Sequence, residues 1–447
     1  MVRHPLQLIE GGARPPSIGA AVELGVLGIA LTLAVTWMAR LPSAFHDLGR
    51  FQILYFVAFA LYALAVLRLN RWATLPHAGW VVLAVTIATR AAFLAAPPSL
   101  SGDLYRYAWE GKVLAHGLDP YRLSPADPAL AALRDAAIHP FVNHPELAAI
   151  YPPLALASYG VIAALSPSVF AIKLWCVLND IALVVVLLAW MRRRGTSPVS
   201  VLIYAWNPLM IVEFAGSAHN DASGMLWLAL AFLWAERRPV ASAMSLAAGV
   251  LTKLAPLMAL PFLVRYWSWR ARLTAFVSIA GGLGAYVLLT RHPASGLTAF
   301  GGSWRNNELA FHYLAQWTGS DALARAIAAA GVAAVLGFAF ARGIAPERAT
   351  QLGLRTALLL SPVVHPWYLG WLMMFEPLGP SWPWITLSLT MILNYGVLRT
   401  PAAGRDFHLS LGWRWIEYGI PLAVAITVFI ARRARSRTRL RSVANAA

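Results

Sequence analysis

The sequence has a single cysteine, Cys176, and it lies inside an apolar run. An intrachain disulfide is thereby excluded, and so is a metal site built from several thiolates. Lysine is nearly as scarce, with Lys112, Lys173 and Lys253 the only three among 36 basic residues. Charged residues make up 12% of the chain against 59% hydrophobic residues, a balance that no ordinary soluble domain carries on its surface. No glycine-rich strand-to-helix fingerprint of a nucleotide-binding domain is found. The polar motifs do not recur, which argues against the paired halves common in transporters.

What the chain does have is apolar runs of the length that crosses a hydrocarbon core of about 30 Å as helix. They fall near 17–39, 51–69, 79–96, 169–191, 198–216, 222–235, 271–290, 322–341, 352–366, 367–379, 382–398 and 414–431, with a broken pair at 240–252 and 254–265. The first is too long, and too weakly followed by a cleavage site, to be a removable signal peptide, and is expected to stay as a span. A formal charge of +17 invites a nucleic-acid partner, but the basic residues cluster at loop ends and in the tail "ARRARSRTRLRS". That is the positive-inside pattern, so the expected surroundings are a lipid bilayer, with no nucleic acid. The bias towards arginine, alanine and glycine points to a GC-rich bacterial genome and hence to a bacterial plasma membrane.

With the tail in the cytoplasm, Arg192, Arg193 and Arg194 belong there too, and three spans bring the chain outside at residue 97. Both 151–165 and 169–191 cannot then cross. The segment 151–165 has only 15 residues and opens with two prolines, so it is expected along the interface or re-entrant. An inverted amino-terminal half is the alternative. The expected layout is three transmembrane helices in 1–96, an extracytoplasmic loop with interfacial helices in 97–168, a transmembrane core in 169–431 and a basic cytoplasmic tail in 432–447. Polar segments at 97–150, 217–221, 291–307 and 364–368 then converge outside, as an active site built from loops would.

The loop 97–150 has 54 residues, too many for a simple connection. Within "SGDLYRYAWEGKVLAHGLDPY", the residues Asp103, Arg106, Tyr107 and Glu110 fall on one face of a predicted helix that Gly117 and Pro120 stop. Asp103 stands at its amino end, where the helix dipole favours an ionised carboxylate able to serve as a general base. Seven residues, or about 10 Å of rise, separate Asp103 from Glu110, so the two cannot share a proton and one is expected to be structural. Solvated helix charges with an Asp103 cap are the competing reading.

This stretch, followed by "IYPPLALASYG", "YAWNPLMIVEFAGSAHND", "AAGVLTKLAPLMALP" and "LLLSPVVHPWYLGWLMM", resembles in order and spacing the polytopic glycosyltransferases of the GT-C class. Within that class the likeness is to the bacterial polyprenyl-phosphate-mannose-dependent mannosyltransferases and to the eukaryotic GPI mannosyltransferase that adds the first mannose. It runs from about residue 100 to 376. The resemblance implies an all-α integral membrane protein of about 12–14 transmembrane helices, with a large extracytoplasmic catalytic loop. It implies that Asp103 is the catalytic acid of that loop, and that His219, Asn220 and Asp221 form a second site on the next exterior turn. The implied partners are a polyprenyl-phosphate-linked sugar donor, with mannose favoured, and a glycolipid or glycan acceptor, joined with inversion. No cofactor is expected. Some relatives carry a two-acid DxD form at the second site where this chain has only Asp221, and a divalent metal is the one exception left open. A polytopic transporter or lipid-linked sugar flippase is the rival reading.

The remaining candidates are read physically. His219 and Asp221 would bond sugar hydroxyls, or Asn220 and Asp221 would simply cap the following helix. Lys253, a cation in an apolar run, would meet the donor phosphate or else snorkel to an interface or a nearby carboxylate. His365 precedes Pro366 at a helix break, with a donor-binding or a purely structural role. Trp367 and Tyr368 fit an interfacial belt, Tyr368 also being a substrate candidate. Arg305 in "GGSWRNNE" is a further phosphate candidate, and Tyr151 is expected to pack against the Asp103 loop or to touch substrate.

Overall fold

The computed structural model describes residues 17–98, 100–291, 296–399 and 409–444. Residues 1–16 of the expected amino-terminal unit and 445–447 of the expected tail lie outside the described residues. The described chain is helical throughout, its one strand-like feature being an isolated parallel bridge between Asn306 and Val363.

Six helices among the described residues are long and apolar enough to cross a membrane alone: Ile18–Ala39, Leu48–Trp72, Val169–Arg193, Trp269–Thr290, Asp321–Ala341 and Leu411–Ala434. Pro198–Ala205 and Pro208–Gly216 make a seventh if counted as one span bent by 64°. The protein is thus a polytopic, all-helical membrane protein with fewer single-helix spans than its apolar runs imply. The difference has a local cause. Helices such as Ala78–Leu94, Asp221–Trp234, Pro239–Thr252 and Ala255–Tyr266 have 10–17 residues, at most about 26 Å of rise. They stop where prolines and turns must line a cavity, the one setting in which broken backbone is tolerated at membrane depth.

The bend shows how a break is satisfied. Asn207 ends one arm and its side-chain oxygen accepts from the Leu209 amide at 2.9 Å, while its Nδ2 donates to Ser388 Oγ at 2.8 Å. Pro208 then occupies the first turn of the next arm, where its missing N–H is harmless. Deeper in the bundle, Arg90 Nε donates to Asp180 Oδ2 at 2.8 Å and Tyr204 Oη to Asp180 Oδ1 at 2.6 Å, all fully buried. This closed network ties the helices Ala78–Leu94 and Val169–Arg193 to Leu202–Ala205.

Two short helices form a shelf beside the spans. Asp103–Ala115 ends just before Gly117 (φ 74°), as its sequence predicts. It packs on Pro153–Leu165, whose 13 residues rise only about 20 Å, too short to cross. Gly111 makes the approach possible: a Cβ there would meet the Tyr159 carbonyl oxygen at 2.5 Å.

Candidate active site

The shelf roofs a cavity of about 1000 Å³. Its walls come from the Asp103 helix, the loop 141–152, the starts and breaks of the short helices near Asp221 and Lys253, the segment 296–306, and the turn 365–372. Asp103, Lys253 and His365, far apart in sequence, all line it.

Asp103 is the first residue of its helix and its side chain is 19% exposed. Its Oδ1 accepts from Asn143 Nδ2 at 2.7 Å, and its Oδ2 lies 3.8 Å from His219 Nε2. Three residues on, Arg106 uses all five of its donors on protein. Its Nε donates to Glu110 Oε1 at 2.7 Å, and its two terminal nitrogens donate to the carbonyls of Asn143, His144, Leu147 and Ala148 at 2.6–3.0 Å. Arg106 therefore clamps the loop that carries Asn143, and no donor remains for a substrate. Glu110 is buried behind it, where loss of solvent pushes its carboxyl up to about 7 against the pull of the Arg106 guanidinium. The two acids of this helix thus differ in environment, one open and one sealed.

Lys253 sits in the break between the helices Pro239–Thr252 and Ala255–Tyr266, in extended conformation. Its Nζ lies 3.1 Å from Asp221 Oδ2 and 5.5 Å from the centre of the Tyr151 ring. The lysine has found both a carboxylate and the cavity. Asp221 is buried, and its Oδ1 accepts from Trp371 Nε1 at 2.8 Å. Neither Asn220 nor Asp221 caps the helix Asp221–Trp234 in the ordinary sense: Asn220 occupies the cap position without a side-chain cap bond and accepts instead from Ser223 Oγ at 2.7 Å.

On the opposite wall, Asn306 Nδ2 lies 2.8 Å from His365 Nδ1. The backbone bridge holds this pair in register, since Asn306 N donates to Pro362 O and Val364 N to Asn306 O. Arg305 reaches the cavity but is engaged by Glu308 at 2.8 Å and Asp321 at 3.3 Å, so its charge is already balanced. Trp367 is not at a lipid interface. Only 8% exposed, its ring is sandwiched between His219, with centroids 3.7 Å apart, and His365, 4.2 Å apart. Tyr368 and Tyr151 both face the cavity.

Four of the sequence candidates are not brought to its walls. Tyr107 stacks on Tyr159 at 4.8 Å and meets the edge of Tyr151 at 5.0 Å, wholly buried; Glu110, Asn220 and His219 are likewise sealed. Others were not anticipated from sequence: Asn143, Asn306, Trp371, and above all Glu213, a buried carboxylate that lies 3.1 Å from His219 Nδ1 and accepts from Tyr395 Oη at 2.8 Å. Its lone acidic letter in the apolar "MIVEFAG" was the available signal, because a charge in such a run calls for a partner. Among the described residues no group of three or more His, Cys, Asp or Glu side chains is placed to hold a metal ion.

Comparison with known proteins places the chain in a family. The chain is 26% identical over 408 residues to a probable alpha-(1->6)-mannopyranosyltransferase of Mycolicibacterium smegmatis, covering 76% of this chain and 72% of that protein. It is 29% identical over 237 residues to alpha-(1->6)-mannopyranosyltransferase A of Mycobacterium tuberculosis, covering 50% of this chain and 44% of that one. The family model described as the alpha-(1->6)-mannopyranosyltransferase N-terminal domain matches residues 19–269, a stretch that carries Asp103, His219, Asp221 and Lys253. With more than half its length so matched, the chain belongs to the alpha-(1->6)-mannopyranosyltransferase family and is a polytopic glycosyltransferase of GT-C type.

Proposed function

We propose that this enzyme transfers mannose from a polyprenyl-phosphate donor to a mannose-bearing glycolipid or glycan at the extracytoplasmic face, forming an α-(1→6) bond with inversion. The observation that carries the reading is one cavity with a carboxylate, Asp103, on one wall and a cation, Lys253, on another. The names of the relatives support mannose and the linkage. The lipid donor is supported by the cavity's apolar lining, to which Leu254, Met258, Leu354 and Leu358 contribute alongside Lys253.

In this mechanism Asp103 Oδ2 takes the proton of the acceptor hydroxyl, whose oxygen attacks the anomeric carbon. The bond from that carbon to the donor phosphate oxygen breaks, and its electron pair leaves with the phosphate. Lys253, held in place by Asp221, meets the charge that develops there, with the His365 ring beside it. A fixed cation in a site sheltered from water can contribute several kcal/mol to such a step. The acid that would protonate a poorer leaving group is not needed.

The test is transfer by the purified protein in detergent from labelled polyprenyl-phosphate mannose to octyl mannoside, with wild type and Asp103→Asn compared. Transfer by the wild type, lost in a folded Asp103→Asn protein, is the expected result. Transfer that survives Asp103→Asn removes this carboxylate from the chemistry. Activity only in sealed vesicles would favour a transporter or flippase.

A further inference from the structure

Behind Asp103 lies a chain of ionisable groups that bond breaking alone does not require. His219 is wholly buried and lies between two carboxylates: Glu213 Oε2 is 3.1 Å from its Nδ1, and Asp103 Oδ2 is 3.8 Å from its Nε2. Ser101 Oγ, 3.2 Å from Nε2, also accepts from the Asp103 amide at 3.2 Å and pins the imidazole to the start of the catalytic helix. The local backbone is built to hold the ring. Val212–Gly216 widens into a π-helical turn, a distortion often found at functional sites, and it carries Glu213. Ala218, next to His219, is held at φ 55°, a left-handed conformation that a non-glycine residue adopts at a cost.

We propose that His219, oriented by Glu213, is a positioning residue that holds the acceptor's proton after Asp103 has taken it, restoring the Asp103 carboxylate until the proton is released. The inference rests on Asp103 being the base. The main-chain carbonyl of Glu213, 3.2 Å from Nδ1, accepts its N–H beside the carboxylate oxygen Oε2, which puts the lone pair on Nε2, between Ser101 Oγ at 3.2 Å and Asp103 Oδ2 at 3.8 Å. Once Asp103 Oδ2 has taken the hydroxyl proton, its O–H bond breaks as the bond from Nε2 to that proton forms. Asp103 is again a carboxylate, and His219 is an imidazolium between Glu213 and Asp103 with the Trp367 face 3.7 Å away. A cation between two anions and over an aromatic face is well stabilised. The proton then leaves to cavity water by the same Oδ2. The charged or titratable groups around His219 are Glu213 with Tyr395 behind it, Asp103 on the shelf helix, His365 beyond Trp367, and Lys253 paired with Asp221 across the cavity. The gap of 3.8 Å closes when substrate orders the site, as such bonds commonly do.

The experiment is the single-turnover rate of the full chain in detergent, with labelled polyprenyl-phosphate mannose and octyl mannoside, as a function of pH. His219→Gln is expected to lower the rate by about 10-fold or more, at unchanged half-saturation for donor. It should also alter the shape of the pH profile. Glu213→Gln, nearly isosteric, should move rate and profile in the same directions. A folded variant with wild-type rate and pH profile overturns the relay, and Glu213→Gln decides the case if His219→Gln does not fold. Asp103→Asn is run alongside: transfer retained there defeats the base assignment, whereas transfer lost there with an unaltered His219→Gln profile defeats only the relay.

Discussion

Lys253 and Asp221 form an ion pair of 3.1 Å with unequal surroundings, the lysine side chain 20% exposed on the cavity and the aspartate 1% exposed behind it. The carboxylate is thus a fixed counter-charge that presents the ammonium to the cavity. Removing one partner from a buried pair strands the other.

Lys253→Met should therefore lower stability by up to about 3 kcal/mol, because Asp221 loses its cation. The double variant Lys253→Met/Asp221→Asn should recover most of that stability without recovering transfer. Thermal unfolding in detergent and the transfer assay read the two effects separately, and a double variant no more stable than Lys253→Met would show that the pair is not coupled.

Asn143 holds one oxygen of Asp103 and is itself held by the Arg106 clamp. Asn143→Ala should leave the fold intact and slow turnover by about 10-fold or more through loss of orientation. A fall in donor affinity with unchanged turnover would place Asn143 on the binding side instead.

Glu110 supplies a pH signature in stability. Its carboxyl, near 4.5 when unfolded, is pushed up to about 7 by burial, with Arg106 opposing. A group that binds its proton more tightly when folded adds stability that is complete below about 4.5 and lost as pH rises through about 7. Glu110→Gln has no such dependence, so wild-type stability relative to that variant should fall across this window in melting curves. A difference that stays flat would mean that Glu110 is ionised throughout.

Gly111→Ala places a Cβ 2.5 Å from a backbone oxygen of the partner helix, which cannot rotate away. The shelf must part, at a cost of about 1–3 kcal/mol for an overpacked contact. Gly284→Ala, whose Cβ would meet nothing within 4 Å, is the control expected to melt like wild type or slightly higher.

Much of the candidate site was legible because charge is rare in this chain. A carboxylate at a predicted helix start, a lysine in an apolar run and a histidine before a proline were each conspicuous, and all three meet in one cavity. Glu213 carries the same signal, a lone acid in an apolar run beside the more polar "SAHND". Asn143 and Asn306 were not legible, because loop residues follow no period and their partners are 40 and 59 positions away. The same holds for Trp367: an aromatic beside a break reads as a membrane belt until its two stacking partners are known. In the fold, hydropathy located the apolar runs well, yet it does not report where a run is interrupted to shape a cavity, which is why several runs form short helices in place of full crossings.

The bridge between Asn306 and Val363 welds the outer segment to the stretch ending at His365. The seat of the imidazole on Trp367 is thereby inherited from a residue 59 positions earlier in the chain, so that a distortion of either segment is felt in the other.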